Sequence, residues 1–407
     1  MLAWIAAALG LPPDAYASAL GALQARLARD LSAGGGATSA YAVDLKTGAV
    51  LLSHDPDVVH PPASVEKLYT TTAVLTRYGV NGRLRTSTFA APRALSGSIL
   101  QGNLYLRGGG DPTFGAASFD QANYGTGATV EQLAGDLAAL GIKRVSGRVI
   151  GDETFLDSRR GEPSSGYGID PYLIGELSGL AFDRGFSDAA GDLLQANPPL
   201  VAANALATAL RRRGVKIGGA SAVGRTPASD TSLVYVRSPT MARLVSLMDT
   251  PSDNFFAETL IKDLGAQFGT GGTTAAGAAV VRAVAAGYGL HPHIVDGSGL
   301  SRSDHTSARM IVSLLTAVIG QPFGATLRAA LAVAGRSGTL AARMQGTIAD
   351  GRCQAKTGTL TGVSALAGYC NAANGHEVVF ALLYDNVNVD SAHASQDAVV
   401  EDLARAG

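Results

Sequence analysis

What most limits the fold of this chain is where its strand-like runs fall. One amphipathic helical stretch (residues 16–32) opens the sequence and ends at Gly34-Gly35-Gly36. A hairpin-like pair follows, Ala40-Tyr41-Ala42-Val43 and Ala49-Val50-Leu51-Leu52, around a turn holding Lys46-Thr47-Gly48. The other long strand-like runs, Cys353 to Thr357, Val363 to Cys370 and Val378 to Tyr384, come only at the far end, before a last helix. Between these ends, Ser64 to Arg77 reads as a helix with Ser64 at its entrance, behind the break at Pro61-Pro62. From about residue 81 to 236 the texture is mixed. Strand-like pieces (Ile99 to Arg107, Val145 to Gly151) alternate there with helical ones (Thr129 to Leu140, Val201 to Arg213). After Ser238-Pro239 the chain turns helical through Leu264, then again over 273–288 and 307–319. This order predicts an α/β (α+β) domain, residues 1–80 and 236–407, interrupted by one α/β insertion domain at 81–235. There is no internal repeat.

Composition narrows the function classes. The 407 residues are 46% hydrophobic with a formal net charge of −1, which excludes disorder and argues against nucleic acid as a partner. Two cysteines exclude a disulfide scaffold and a Cys-rich zinc site. They flank a turn centred near Thr361-Gly362, so a hairpin there sets Cys353 opposite Cys370. Either a disulfide in an oxidising compartment or two buried thiols fits that placement. The run Leu2 to Leu11 is too short to span a bilayer. With Ala15-Tyr16-Ala17 behind it, the run reads either as a secretory leader remnant lacking its basic residues or as part of a packed helix.

Three short motifs carry chemistry. In Ser64-Val65-Glu66-Lys67 the i,i+3 spacing brings hydroxyl and amine onto one helical face, which lets a lysine act as base for a serine nucleophile. Burial or a second cation would bring the lysine toward neutrality. Ser252-Asp253-Asn254 precedes a helix and by itself is an N-cap cluster. Lys356-Thr357-Gly358-Thr359 combines a cation, two hydroxyls and a glycine that lets a backbone approach closely. The other Lys-Thr-Gly, at 46–48, reads as turn chemistry only. Ser-x-x-Lys, Ser-Asp-Asn and Lys-Thr-Gly in that order are the motif set of β-lactamases and penicillin-binding proteins.

On these motifs the chain resembles the low-molecular-mass class C penicillin-binding proteins, the D-alanyl-D-alanine carboxypeptidases/endopeptidases. The likeness extends to Leu104-Tyr105-Leu106-Arg107-Gly108-Gly109-Gly110-Asp111-Pro112-Thr113, to Asp296-Gly297-Ser298-Gly299-Leu300-Ser301-Arg302 and to Gly338-Thr339-Leu340. The resemblance implies a serine β-lactamase/DD-peptidase-like transpeptidase domain. It implies Ser64 as nucleophile, Lys67 as base, Ser252 as proton relay and Asn254 as the group binding the substrate amide and holding Lys67. Lys356, Thr357 and Thr359 with Gly358 would bind the terminal carboxylate, and the N–H groups of Ser64 and Thr359 would form an oxyanion hole. Leu360 and Arg302 would shape a side-chain pocket, with Asp170 and Tyr172 as further candidates. A structural ion pair is the other reading of Arg302. The stretch Phe182 to Pro199 is too short for the additional β-rich domain that family members commonly nest in the insertion. The implied partners are peptidoglycan stem peptides and, as inhibitors, β-lactams; no cofactor, metal, nucleic acid or integral membrane span is implied, and the location is extracytoplasmic. A β-lactamase and a catalytically silent wall-binding protein are the alternatives. His291-Pro292-His293 reads as a loop, and Gly108-Gly109-Gly110 lacks the Lys-Ser/Thr of a phosphate loop.

Overall fold

The computed structural model describes residues 13–187 and 193–406. Leu2 to Leu11, on which the leader reading rests, lies outside them. The chain gathers into two compact units. One is built from residues up to Thr72, Val245–Ser252 and everything from Arg282 on; the other from Ala73–Leu244 and Asp253–Val281. These limits are not those expected from the sequence for the domains: residues 73–80, 236–244 and 253–281 group with the second unit. The helix Asn254–Phe268 is anchored there by the Phe256 ring edge-on to Tyr124 at 5.3 Å and by Lys262 Nζ donating to Asp157 at 2.7 Å.

The first unit is an antiparallel six-stranded sheet in the order Ala332–Val333, Cys353–Leu360, Val363–Asn371, Glu377–Asp385, Ala37–Asp44, Val50–His54. The N-terminal hairpin thus joins the C-terminal strands, with Ala37 opposite Asp385 and Asp44 opposite Val378. Every residue from Val363 to Cys370 is buried, since both faces of this central strand are covered. Period-two alternation divides the faces. Ala40, Ala42, Phe380, Leu382, Leu366 and Cys370 join a core with Leu23, Leu27, Val399 and Leu403 of the helices Pro13–Ser32 and Val389–Arg405. Tyr369, pointing the other way, donates its hydroxyl to Leu315 O in the helix Ala308–Ile319 at 2.8 Å. The turn at Lys46-Thr47-Gly48 is closed by Asp44 Oδ1, which accepts from Lys46 N and Thr47 N, with Gly48 at φ 72°.

In the second unit a five-stranded sheet (Ala222–Val223, Val149–Asp152, Leu104–Arg107, Arg85–Ala90, Thr231–Arg237) packs its core with the helices Val130–Ala139 and Pro198–Arg212. The single strands expected over 99–107 and 145–151 are each divided. Ile99–Leu100 and Arg144–Val145 belong to a separate four-stranded sheet, and Gly102 (φ 86°) and Gly147 make the breaks possible. A Cβ on Gly147 would lie 2.5 Å from Gly102 O.

Cys353 and Cys370 are directly opposed in register, with Cα atoms 4.0 Å apart, and their sulfurs are bonded. At a sequence separation of 17, the crosslink contributes about 3 kcal/mol through the unfolded chain. Thiol titration of denatured, unreduced protein is expected to find no free thiol. Urea titration after reduction is expected to show a loss of about that size.

Candidate active site

The first motif starts a helix in an unusual way. The spacing predicts one helix from Ser64; the structure opens it with a 3-10 turn, Ala63–Glu66, and continues as the α-helix Lys67–Tyr78. Ala63 adopts φ 46°, a left-handed conformation that costs a non-glycine residue about 1–2 kcal/mol. Two glycines hold this turn. A Cβ on Gly299 (φ 78°) would lie 1.9 Å from Ala63 O, and one on Gly358 would lie 2.5 Å from Pro62 O and 3.1 Å from Ser64 N. Only glycine at both positions lets the backbone of two separate segments close on the residue that precedes Ser64.

Lys67 has no exposed surface, and its Nζ lies 3.0 Å from Ser64 Oγ while donating to Ser298 O at 2.7 Å. The loop that presents this carbonyl is gathered around one carboxylate. Asp296 Oδ1 accepts from Ser298 N (3.1 Å) and Gly299 N (2.7 Å), and Oδ2 accepts from Ser301 N (2.8 Å). Glu66 is fully buried and accepts from Thr70 Oγ1. Burial and the neighbouring Asp304 and Asp296 carboxylates push its carboxyl well above the usual range.

Ser252 also sits in a left-handed conformation (φ 65°), and its N–H donates to Asp249 O at 3.2 Å. The segment before it is tied to the third motif. Thr250 O accepts from Thr339 N at 3.2 Å, and Thr339 Oγ1 in turn accepts from Thr357 Oγ1 at 2.7 Å. Gly338 (φ 55°) permits this, because a Cβ there would lie 2.1 Å from Thr250 O. Asp249 is buried with Thr71 Oγ1 donating to it at 2.6 Å, and burial pushes its carboxyl up to about 7.

Alternation along Cys353–Leu360 sorts the third motif. Lys356 and Gly358 share one face, the face that meets the Ser64 turn, while Thr357 and Thr359 point to the other. Lys356 is fully buried, and its only hydrogen bond among the described residues goes to Thr357 O at 3.0 Å. Burial first, and repulsion from Lys67 next, bring its ammonium down to about 7 against the pull of Asp249. Thr359 Oγ1 lies 3.5 Å from His393 Nε2, a half-buried imidazole whose proton affinity is lowered by burial and by Arg343. Beyond Ala355 the outer edge of the strand has no β partner among the described residues, since Ala332–Val333 pairs only with Ala355 and Gln354. Leu360 is half-exposed, and Arg302 donates to Thr361 O at the adjoining turn, a carbonyl rather than a carboxylate.

The first unit therefore brings together Ser64, Lys67, Ser252, Lys356, Thr357, Gly358 and Thr359, with Arg302 and Leu360 at the turn end. Asn254, Asp170 and Tyr172 belong to the second unit. There Asp253 caps the helix through Phe256 N and pairs with Arg184, while Asn254 Nδ2 donates to Leu173 O at 2.9 Å. Asp170 Oδ1 is engaged by Tyr172 N and Leu173 N, so it closes its own turn, and Tyr172 is 81% exposed. Sequence reasoning missed Asp249, Thr71 and His393, and it quoted Glu66 and Asp296 within motifs without giving either a role. Asp249 lies three residues before Ser252, Glu66 adjoins Lys67, and Asp296 opens the 296–302 run.

A depressed Lys356 has a signed consequence. The ammonium form, which attracts a carboxylate, is present below about pH 7 and lost above it. Binding of a carboxylate-bearing ligand is expected to weaken as pH rises through 7. Because the Asp249 anion holds the proton on Lys356, Asp249→Asn moves that fall to lower pH, as calorimetric titration across pH 5–9 would read.

Comparison with known proteins identifies the family. Residues 21–168 and 192–406 match the profile of the D-Ala-D-Ala carboxypeptidase 3 (S13) family. A D-alanyl-D-alanine carboxypeptidase of Actinomadura sp. (strain R39) is 30% identical over 485 aligned positions, covering 97% of this chain and 87% of the relative. That alignment is longer than this chain, so the relative carries residues that are lacking here. Carboxypeptidase DacB of Mycolicibacterium smegmatis is 30% identical over 84% of this chain and 75% of its own length. Among solved structures, penicillin binding protein 4 (dacB) from Haemophilus influenzae superposes with a TM-score of 0.74 at 19% identity, covering 90% of this chain and 97% of that one. The last likeness establishes the DD-peptidase fold. Taken with the matched profile, it places the chain in the D-Ala-D-Ala carboxypeptidase 3 (S13) family, whose members are hydrolases.

Proposed function

We propose that the D-alanyl-D-alanine carboxypeptidase/endopeptidase activity of this family is carried here by Ser64 as nucleophile and Lys67 as its base, acting on peptidoglycan stem peptides. The observation that carries this reading is the 3.0 Å contact of Lys67 Nζ with Ser64 Oγ, held in place by the Ser298 carbonyl. In acylation the Ser64 oxygen bonds to the carbonyl carbon between the two D-alanines, its proton passes to Lys67, and the C–N bond breaks. Ser252 relays that proton to the departing amine, and water then releases the acyl group from Ser64. Lys356 is the cation for the terminal carboxylate; Thr357 and Thr359, whose side chains leave the strand on its other face, are assigned to the carboxylate on the motif match. The N–H groups of Ser64 and Thr359 receive the developing oxyanion. The unpaired edge of the Lys-Thr-Gly strand offers N–H and C=O groups to an extended peptide. Asn254, Asp170 and Tyr172 are assigned to the substrate on the motif match alone, as are Arg302 and Leu360.

β-Lactams acylate the same serine in this reading, and the compartment is extracytoplasmic. The bonded cysteines support that location, and among the described residues no helix is long and apolar enough to cross a membrane. The domain reading is part of the proposal too: a catalytic domain of residues 1–80 and 236–407 around an insertion at 81–235.

Incubation with fluorescent penicillin tests the assignment. Wild-type protein should retain a stable label, Ser64→Ala should take up none, and Lys67→Ala should label about 10²–10⁴-fold more slowly. Rapid release of label would mean a β-lactamase instead, and no labelling of folded wild-type protein would end the acyl-enzyme reading. Gly358→Ala is expected to slow labelling by about 10²-fold, because the new methyl displaces the Pro62-to-Ser64 backbone.

A further inference from the structure

The second unit holds a cavity that the peptidase reading does not use. Its volume is about 610 Å³, and its wall includes Arg77, Arg83, Arg85 and Arg107 with no aspartate or glutamate. In a chain whose formal charge is −1, four guanidinium groups around one space are a local excess. Among the described residues Arg77, Arg83 and Arg85 have no ion pair, and Arg107 has only a distant one with Asp152 at 4.0 Å. Two of the four are set in place. Arg83 Nη1 donates to Ser238 O at 2.7 Å, and the Arg85 guanidinium lies over the Tyr235 ring, 4.7 Å from its centre. Mutually repelling cations held on separate elements are arranged to receive an anion.

The rest of the wall bears on what kind of anion. Tyr78 and Phe268 form an edge-on ring pair at 4.8 Å, and Phe89 and Phe155 add two more rings, so the cations alternate with flat apolar surface. Gly108 and Gly109, which lack the Lys-Ser/Thr of a phosphate loop, line the cavity as bare backbone. A Cβ on Gly109 would lie 2.2 Å from Arg85 O, and one on Gly108 would lie 1.9 Å from Gly179 O. Phe89 and Arg107 also line a second cavity of about 440 Å³, whose wall includes Arg225, Thr154 and Thr226 together with the carboxylates of Asp152 and Asp230, so the excess of positive charge belongs to the first cavity. At about 610 Å³ that first cavity suits a ligand longer than a single ion.

One carboxylate is saturated by one bidentate arginine, whereas a phosphate presents oxygens to several guanidinium forks at once. Rings beside the forks suit the C–H faces of a sugar or polyol. We propose that this cavity binds the phosphate groups of a phosphodiester-linked sugar or polyol polymer. The binding is independent of Ser64 and is read directly rather than through peptidase activity, so its failure and that of the peptidase reading are distinguishable.

Calorimetric titration of the full chain with a synthetic glycerol-phosphate oligomer tests it, beside a neutral polyol, polyglutamate and a single-stranded oligonucleotide of similar length. Saturable binding of the glycerol-phosphate oligomer is expected, weakening steeply with salt. Arg77→Ala/Arg83→Ala/Arg85→Ala should weaken it at least about tenfold and flatten the salt dependence. The exposed pair Arg211→Ala/Arg212→Ala, outside the cavity, should leave it unchanged. Thermal unfolding of each variant establishes that it is folded; if the triple variant is not, Arg83→Gln and Arg85→Gln singly take its place. Absence of saturable binding, equal loss in the control pair, or equal or tighter binding of polyglutamate or the oligonucleotide would overturn the proposal.

Discussion

Two lysines with no exposed surface, Lys67 and Lys356, set the terms for the first unit. An ammonium group removed from water costs several kcal/mol unless acceptors or an anion replace its hydration. Around Lys67 the replacement includes backbone and hydroxyl oxygen, Ser298 O and Ser64 Oγ. Around Lys356 it is sparse: a single carbonyl and, further off, Asp249, whose carboxyl burial pushes up to about 7. The surrounding structure follows from those two needs. The 296–301 loop is folded around the Asp296 carboxylate so that one of its carbonyls faces Lys67. The Asp249–Ser252 segment is tied through Thr250 and Thr339 to the strand that bears Lys356.

Sheet geometry supplies the rest of the order. A strand can present Lys356 and Gly358 toward the Ser64 turn only by sending Thr357 and Thr359 the other way, where Thr339 and His393 meet them. A slip of one residue in the pairing with Val363–Asn371 would exchange these faces. The Cys353–Cys370 bond sits at the far end of that ladder and fixes its register covalently. The same bond therefore connects a feature legible from spacing alone to the placement of the cation three residues along the strand, at Lys356.

Much of this was legible in the sequence because its signals are local or ordered. Motif order identified the three site segments, alternation identified the long strands, and the midpoint between the cysteines gave their register. What stayed hidden depends on contacts between distant segments. Nothing in Ser64-Val65-Glu66-Lys67 reveals that its first turn is 3-10 or that Ala63 is left-handed; those follow from Gly299 and Gly358, more than two hundred residues on. The grouping of the helix Asn254–Phe268 with the second unit was equally invisible, since Phe256 and Lys262 find their partners at Tyr124 and Asp157. The divided strands near 102 and 147 were lost for a smaller reason: a glycine pair read as part of a strand serves as its interruption.

Glu66 shows why a buried carboxyl beside the proposed base does not oppose it. An ionised glutamate next to Lys67 would hold the ammonium proton and leave the serine without a base. Here Glu66 is enclosed with Asp296 and Asp304, and burial together with those two carboxylates favours its neutral form. Asp296 has its charge engaged by three backbone N–H groups of its own loop. The Asp296 carboxylate thus shapes the loop that carries Ser298 O, and its charge, after burial and Asp304, raises the Glu66 carboxyl toward its neutral form. Removing either role changes the other: without the Asp296 charge Glu66 ionises more readily, and the loop that positions Lys67 loses the acceptor around which it is folded.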